Sequence, residues 1–409
     1  MQNQSCGKAF LNGHCKQHLP CVIHRRYKDL AASQRKMLLE IDRLHGSAQY
    51  LQSLESVTFG EFDICYASFE IEGKLLGMAV FQRSQVSIVV TQSQGALSQL
   101  VNYFINSSQG LWTGDVLNNG DIYGTGIKGY VFKNGVDESL QWYSLLEAGR
   151  EVCKKWNFKP HFLVFRDYLE EQGVPFQRIF RKSRFHQIRT EPAMIMPLPS
   201  HWKSFEDYTA DLKTKYRTKV KASLERISVL EKRTLSTADI EQHLDAMAAL
   251  YRNVYEKSDF RPGKFNPQTF YELSKNMGAN CRAQAYFLEG EMIAFQMGLS
   301  CCDHLDSMFV GMNYNYLKSH ALLPGMLCEF IRWGIELGVS EIRFGRTAAE
   351  LKSSLGAKPH NIISYSRHTN AAANHIMAWV IDRVQPPKER IIQAYKTGVA
   401  ELISEDKAD

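Results

Sequence analysis

Ala283-Gln-Ala-Tyr-Phe-Leu-Glu-Gly-Glu-Met-Ile-Ala-Phe-Gln-Met-Gly-Leu299 reads as two apolar strands joined by a Glu-Gly turn. A two-residue hairpin turn demands positive φ, which glycine supplies without steric strain, so Gly290 fixes the turn and the strands run out from it. The same pattern stands earlier in the chain as Phe62-Asp-Ile-Cys-Tyr-Ala-Ser-Phe-Glu-Ile-Glu-Gly-Lys-Leu-Leu-Gly-Met-Ala-Val-Phe81, with Gly73 in the place of Gly290. Each hairpin is followed by further strands, a long amphipathic helix and another strand. In the first half the helix is expected over 139–156 and the strand over 161–165; in the second half they are expected over 324–337 and 341–344. A repeated order of elements predicts duplication of one α/β unit with mixed sheets.

The second copy closes on Ile342-Arg-Phe-Gly-Arg-Thr-Ala-Ala-Glu-Leu-Lys-Ser-Ser-Leu-Gly-Ala-Lys-Pro359. Ile342 and Phe344 alternate with Arg343 and Gly345, as at a strand end, and a short polar helix follows. Thr347 and Glu350 have the spacing of a capping box, and Gly356 stands where a helix-ending glycine belongs. Capping leaves Arg346 and Lys352 unexplained. Both lie at the carboxyl end of a strand, the edge where α/β proteins gather ligands.

The 409 residues suffice for two domains of ordinary size. Residues 1–45 read as a basic extension containing His and Cys, 46–200 as the first domain, 201–235 as a connecting helix, and 236–409 as the second domain with a C-terminal helix. The connecting helix shows Phe205, Tyr208, Leu212 and Tyr216 near helical spacing, with an acidic start and a basic finish. A further broken helix is expected over 376–402, interrupted at Pro386-Pro387 and packed on the second unit. No apolar run is long enough for a membrane span, no secretory signal is read at the N-terminus, and a cytoplasmic protein is expected. The net charge of +6 permits an anionic ligand or peripheral membrane contact without demanding nucleic acid. Cys6, Cys15, His18, Cys21 and His24 suit zinc by residue type, but their spacing matches no standard module and no metal site is expected. Gly124-Thr-Gly-Ile-Lys-Gly129 spells a dinucleotide motif, yet Tyr130-Val-Phe132 follows it rather than a helix, so it reads as a turn between strands.

The hairpin of the second copy, the strand containing Phe309-Val-Gly-Met-Asn-Tyr314, the helix after Leu323-Pro-Gly325 and the strand over 341–344 together resemble the GNAT acyltransferase fold. The duplication and the basic connecting helix resemble the double-GNAT branch of Fem-type peptidoglycan aminoacyltransferases and related N-acyltransferases. Lys352-Ser-Ser-Leu-Gly356 is similar to the K-x-x-F-G element of the Fem-type second domain, where the lysine steadies the reaction centre. Gly345-Arg-Thr-Ala-Ala-Glu-Leu-Lys352 looks more like the N-acyltransferase relatives than the peptidoglycan enzymes. The chain departs from the family at 315–325, where the pyrophosphate pattern R/Q-x-x-G-x-G/A is missing, although a helix N-terminus still follows.

The resemblance implies acyl transfer to an amine, with acyl-CoA or acyl-carrier protein as co-substrate and no tightly bound cofactor. Such a reaction needs donors aimed at the developing oxyanion, a base for the amine, and a held leaving group. Lys352, Arg346, Glu350 and Tyr314 are the expected catalytic residues. Val310, Gly311, Met312, Asn313, Lys318, His320 and Thr347 are expected to bind substrate. Gly311 fits either close approach of a donor chain or tight packing, and Arg346 either an anion or an ion pair with Glu350. Three functions stay open: N-acyl transfer from a thioester to an amino acid or amino lipid, tRNA-dependent aminoacyl transfer to a peptidoglycan precursor, and a non-catalytic scaffold for a ligand or partner.

Overall fold

The computed structural model describes residues 18–58, 62–89, 111–173, 175–176, 178–257, 260–261, 265–381 and 390–399. Both predicted hairpins form. Asp63–Ile71 (β2) turns into Lys74–Val89 (β3) through Glu72 and Gly73 at φ 51° and 74°. Cys281–Leu288 (β11) turns into Glu291–Cys301 (β12) through Glu289 and Gly290 at φ 51° and 84°. Two consecutive positive φ angles make each a type I′ turn, whose twist matches the strands it joins. The register slips between Phe69 and Glu70 in one hairpin and between Tyr286 and Phe287 in the other, at the same offset from the glycine. A bulge re-aims the strand that carries it, so the copies share their irregularities as well as their order.

The first sheet runs Cys21–His24 (β1), β2, β3, Leu111–Asn119 (β4), Phe162–Leu169 (β6), Ile362–His368 (β16) and His186–Arg189 (β7). Tyr130–Phe132 (β5) and Phe260–Arg261 (β10) also pair with β3. The second sheet runs Lys358–His360 (β15), Ala193–Pro197 (β8), Glu341–Arg343 (β14), His304–Met312 (β13), β12, β11 and Glu231–Thr234 (β9).

The sheets do not follow the sequence boundaries, because the two units exchange strands. β8, expected in the first domain, pairs with β14 and β15 in the second sheet. β16, expected in the second, pairs with β6 and β7 in the first. The reason is burial. Ile363 and Tyr365 enter the first core beside Trp142 and Phe165, while Met194 and Met196 enter the second beside Phe330 and Ile342. Each aliphatic side chain so placed contributes roughly 2 kcal/mol. Residues 18–45 likewise join the body of the first unit, since β1 pairs with β2 and Tyr27, Leu38 and Leu44 are core residues.

Glu138–Trp156 (α3) covers the first sheet. Asp137 caps its N-terminus by accepting from Ser139 and Leu140, and Asn157 ends it in the left-handed region. Ala32–Leu38 (α1) and Ala48–Ser56 (α2) precede it. The connecting segment is two helices, Phe205–Asp211 (α4) and Thr214–Ile227 (α5), because Leu212 is extended at ψ 144° and is fully buried. Thr237–Gln242 (α6), Leu244–Lys257 (α7) and Gln268–Met277 (α8) follow. Leu322–Leu337 (α9) packs against α5 and the second sheet, and Gly338 ends it at φ 66°. Beyond Ala349–Ser354 (α10), Ala371–Ile381 (α11) packs on β16 and β7 of the first sheet rather than on the second unit. Residues 390–399 return to the second core through Ala394 and Tyr395. Pro386 and Pro387 lie outside the described residues.

Candidate active site

In the second sheet β13 and β14 run parallel and pair only from His304–Glu341 to Asp306–Arg343. There they part. Phe344 and Gly345 turn to β8, with Phe344 N–H donating to Met194 O and Met194 N–H to Gly345 O at 2.9 Å each. β13 continues alongside β12 to Met312, leaving its β14-facing edge without that neighbour. A strand edge so released presents N–H and C=O groups in a fixed row, which suits an extended ligand or an oxyanion.

The turn that leads β14 away is Gly345–Ala348. Gly345, Thr347 and Ala348 have φ of 70°, 65° and 52°. Left-handed geometry at a β-branched threonine is uncommon and costs of order 1–3 kcal/mol, so something must hold it. Lys352 does so. It is 5% exposed, and its ammonium donates to Phe344 O at 2.8 Å, to Gly345 O at 3.4 Å and to Arg346 O. Three donors are thus turned onto three carbonyls of this turn. Arg346 reaches into the first unit and pairs with Asp167, which is 1% exposed and also lies 3.6 Å from Arg166. Burial pushes the Asp167 carboxyl up, but the two guanidinium groups outweigh it and hold it below the usual range. Of the two alternatives for Arg346, an anion or an ion pair with Glu350, the pair with Glu350 does not form, and the carboxylate it meets is Asp167. Glu350 is exposed on α10 and lies 3.9 Å from Arg390. The capping box does not form: Ala348, in the left-handed region, is the cap residue, and Thr347 is exposed. Gly356 ends α10 at φ 110° as its position predicts.

The remaining expected site residues lie along β13 and the loop after it. Gly311 serves packing, since a Cβ there would meet Phe295 Cε1 at 2.2 Å and Tyr251 N at 2.9 Å. Val310 and Met312 contact the cluster of Leu322 and Met326. Asn313 accepts from Asn315 N–H and caps the turn Tyr314–Tyr316. Tyr314 has Lys257 over its ring at 5.3 Å, Lys318 O accepts from Arg226 at 3.2 Å, and His320 Nδ1 is 2.9 Å from Ser319 Oγ. The start of α9 is a poor anion cradle. Leu322 N–H donates to Leu317 O and Pro324 has no N–H, which leaves Leu323 alone among the first three positions.

Residues 214–353 match the acetyltransferase (GNAT) domain family. FemX aligns at 9% identity and a TM-score of 0.50, over 85% of this chain and 99% of that one. A tandem GNAT protein from the clavulanic acid biosynthesis pathway aligns at 10% identity and a TM-score of 0.52, over 86% and 99%. The chain carries the tandem GNAT fold. The matched span lies mainly in the second unit and includes the parting of β13 from β14, the Gly345–Ala348 turn and Lys352. No curated protein matches by sequence.

The seam between the two units holds a second group of charges that spacing alone did not reveal. Asp42 accepts from His45 Nδ1 at 3.0 Å and from Arg343 Nη1 at 2.8 Å, across 301 positions of sequence. His45 Nε2 faces Asp306 at 3.4 Å and Asp121 at 3.8 Å. Burial works against a charged His45, but the hydrogen bond and charge of Asp42, then Asp306 and Asp121, hold its pKa up at about 9. Burial also raises Asp42, yet His45 and Arg343 outweigh it and hold that carboxyl far below its ordinary value. Burial leaves Asp306 raised. Gly124 is required here, because a Cβ would come within 2.8 Å of His45 Nε2. The glycine-rich segment thus closes on the seam between units. The one sequence signal was Arg343, a charge set between buried Ile342 and Phe344.

No group of three or more His, Cys, Asp or Glu among the described residues is arranged to hold a metal ion. Cys6 and Cys15 lie outside them. Cys21 is a strand residue of β1, and His24 Nε2 is 3.0 Å from Ser68 Oγ. No helix among the described residues is long and apolar enough to cross a membrane.

Proposed function

We propose that the protein is an N-acyltransferase that moves an acyl group from a thioester carrier, acyl-CoA or acyl-carrier protein, to the amine of an amino acid or amino lipid. The observation that carries this is the parting of β13 from β14 within a GNAT domain. The acyl carrier enters along the released edge of β13, where backbone N–H groups polarise the thioester carbonyl. The amine nitrogen forms a bond to the carbonyl carbon, the C–S bond breaks, and the thiolate takes a proton. Glu350, exposed beside the turn, is the base for the amine, and Tyr314 the acid for the thiolate. Lys352 and Arg346 act by fixing the Gly345–Ala348 turn, against which the substrate lies at Thr347. Val310, Met312 and Asn313 border the acyl path, with Lys318 and His320 on the carrier side.

The second reading is an aminoacyl-tRNA donor. The exposed lysines of α5 and its approach, Lys213, Lys215, Lys219 and Lys221, favour it, as does the weak anion cradle at α9. Incubation of the full chain with acyl-CoA or acyl-carrier protein and a panel of amines separates the two. Amine-dependent thiol release supports the thioester. Consumption of charged tRNA without thiol release overturns it, and binding of either donor without turnover would make the protein a scaffold.

A further inference from the structure

β12 and β13 meet in a turn of two residues, Cys302 and Asp303. Cys302 takes φ 52° at the first turn position, as Glu72 and Glu289 do at 51° in the other two hairpins, but no glycine follows it. A side chain held in that region stands out from the hairpin, and Cys302 is exposed at its tip. Its Sγ lies 3.5 Å from Sγ of Cys301. Arg43, from the first unit, and Asp303 are the charges that act on the Cys302 thiol.

The cysteines of this chain differ sharply in their readiness to ionise. Burial pushes the thiols of Cys281 and Cys328 up to about 12 and those of Cys21 and Cys153 to about 11. Cys301 is also raised, by burial and then by its hydrogen bond with Cys302. Cys302 moves the other way, lowered first by Arg43 and then by Cys301. Among the described cysteines it alone is drawn toward the thiolate, the reactive form of the side chain.

We propose that Cys301–Cys302 is a vicinal dithiol oxidised by hydrogen peroxide, with Cys302 as the attacking thiolate and Cys301 as the resolving thiol. The Cys302 thiolate attacks one peroxide oxygen. An S–O bond forms, the O–O bond breaks, and the departing hydroxide takes a proton to become water, leaving a sulfenic acid. The Cys301 sulfur then displaces the hydroxyl, which leaves as a second water with the Cys301 proton. The two thiols lose two electrons and two protons, and the peroxide is reduced. Closure shortens 3.5 Å to a bond of about 2.0 Å, so the turn must move and Arg43 loses its thiolate. The effect is not confined to the tip. Asp303 O accepts from Ser340 N–H and Oγ–H and from Glu341 N–H, so the same turn anchors the start of β14.

The test is peroxide treatment of the full chain at a small molar excess, followed by alkylation and peptide mapping. The expected result is that the peptide holding Cys301 and Cys302 loses two hydrogens, resists alkylation, and recovers both properties with a reductant. Cys301→Ser should stop at a sulfenic acid trapped by dimedone, and Cys302→Ser should abolish the reaction. Arg43→Met should slow oxidation several-fold at neutral pH and move its rate profile to higher pH. Oxidation of Cys302 no faster than that of Cys153, a disulfide between chains on a non-reducing gel, or an Arg43→Met rate equal to that of the native chain would each overturn the proposal. The mapping of the native chain decides even if a variant fails to fold.

Discussion

The ends of β6 and β14 occupy equivalent places in the two units, each following the long helix and each pairing in parallel with an earlier strand, β4 in the first unit and β13 in the second. In the first unit β4 and β6 stay paired to the last residue of β4, Asn119 opposite Phe165. In the second, pairing stops at Asp306 and Arg343, and β13 runs on to Met312. A released strand edge therefore exists in the copy that matches the acetyltransferase family, and the equivalent edge in the first copy is closed. The first unit has a different use for its strand end. Arg166 and Asp167 sit there, and Asp167 reaches across to Arg346 at the turn after β14. Duplication supplied two copies of one joint, and one copy now braces the other.

The sharpest way to break this comparison is to remove the brace. Asp167→Ala leaves the buried Arg166 and the partly buried Arg346 without their carboxylate and should destabilise the protein by about 3–5 kcal/mol, measured by urea unfolding. A double-mutant cycle with Arg346→Met should show strong coupling, and additivity would refute the brace. Lys352→Met removes the cation that gathers three carbonyls of the turn. It should cost roughly 3 kcal/mol and remove acyl transfer. Lys352→Arg should not rescue it, since a planar fork does not fit the position of an ammonium; rescue by arginine would show that charge alone matters.

The charged seam at His45 gives a pH test. The pKa of His45 is raised from 6.5 to about 9 in the folded chain. A raised pKa means that this stabilisation is fully present below the unfolded value and is lost as pH rises through the folded one. Unfolding free energy should therefore fall by about 3 kcal/mol between about pH 6 and 10, and His45→Gln should remove most of that slope. An unchanged slope in the variant would place the titration elsewhere.

Smaller effects sharpen the picture of β13. Gly311→Ala should cost roughly 1–3 kcal/mol through overpacking on Phe295 and Tyr251, and a neutral result would reopen close donor approach at this residue. Thr347→Gly relieves a left-handed threonine and should stabilise by about 1 kcal/mol, read from the unfolding midpoint.

Much of the fold was legible because it is written in short-range rules. The Glu-Gly turns needed no partner beyond their own strands, and the order of hairpin, long helix and strand repeated in full view. Gly356 was placed by the same local logic. Local logic also misled, for Thr347 and Glu350 have the spacing of a cap and the turn instead bends through Ala348. The connecting helix looked continuous since Leu212 fits the apolar stripe; its break comes from burial against Tyr395, far along the chain. The seam residues Asp42, His45, Asp121 and Asp167 carried no periodic signal, because the contacts that close the seam, Asp42 with Arg343, His45 with Asp121 and Asp306, and Asp167 with Arg346, join distant parts of the chain.

The sequence by itself determined the hairpins, the duplicated order of elements and the identity of the segment that closes the second unit. Backbone sterics and apolar periodicity act over a few residues, and a sequence displays them directly. Only the tertiary structure decided which strands each sheet owns and what Lys352 and Arg346 hold. β8 and β16 trade places because burial rewards whichever core they fit. The two cations are committed to carbonyls and a carboxylate that only folding brings within reach.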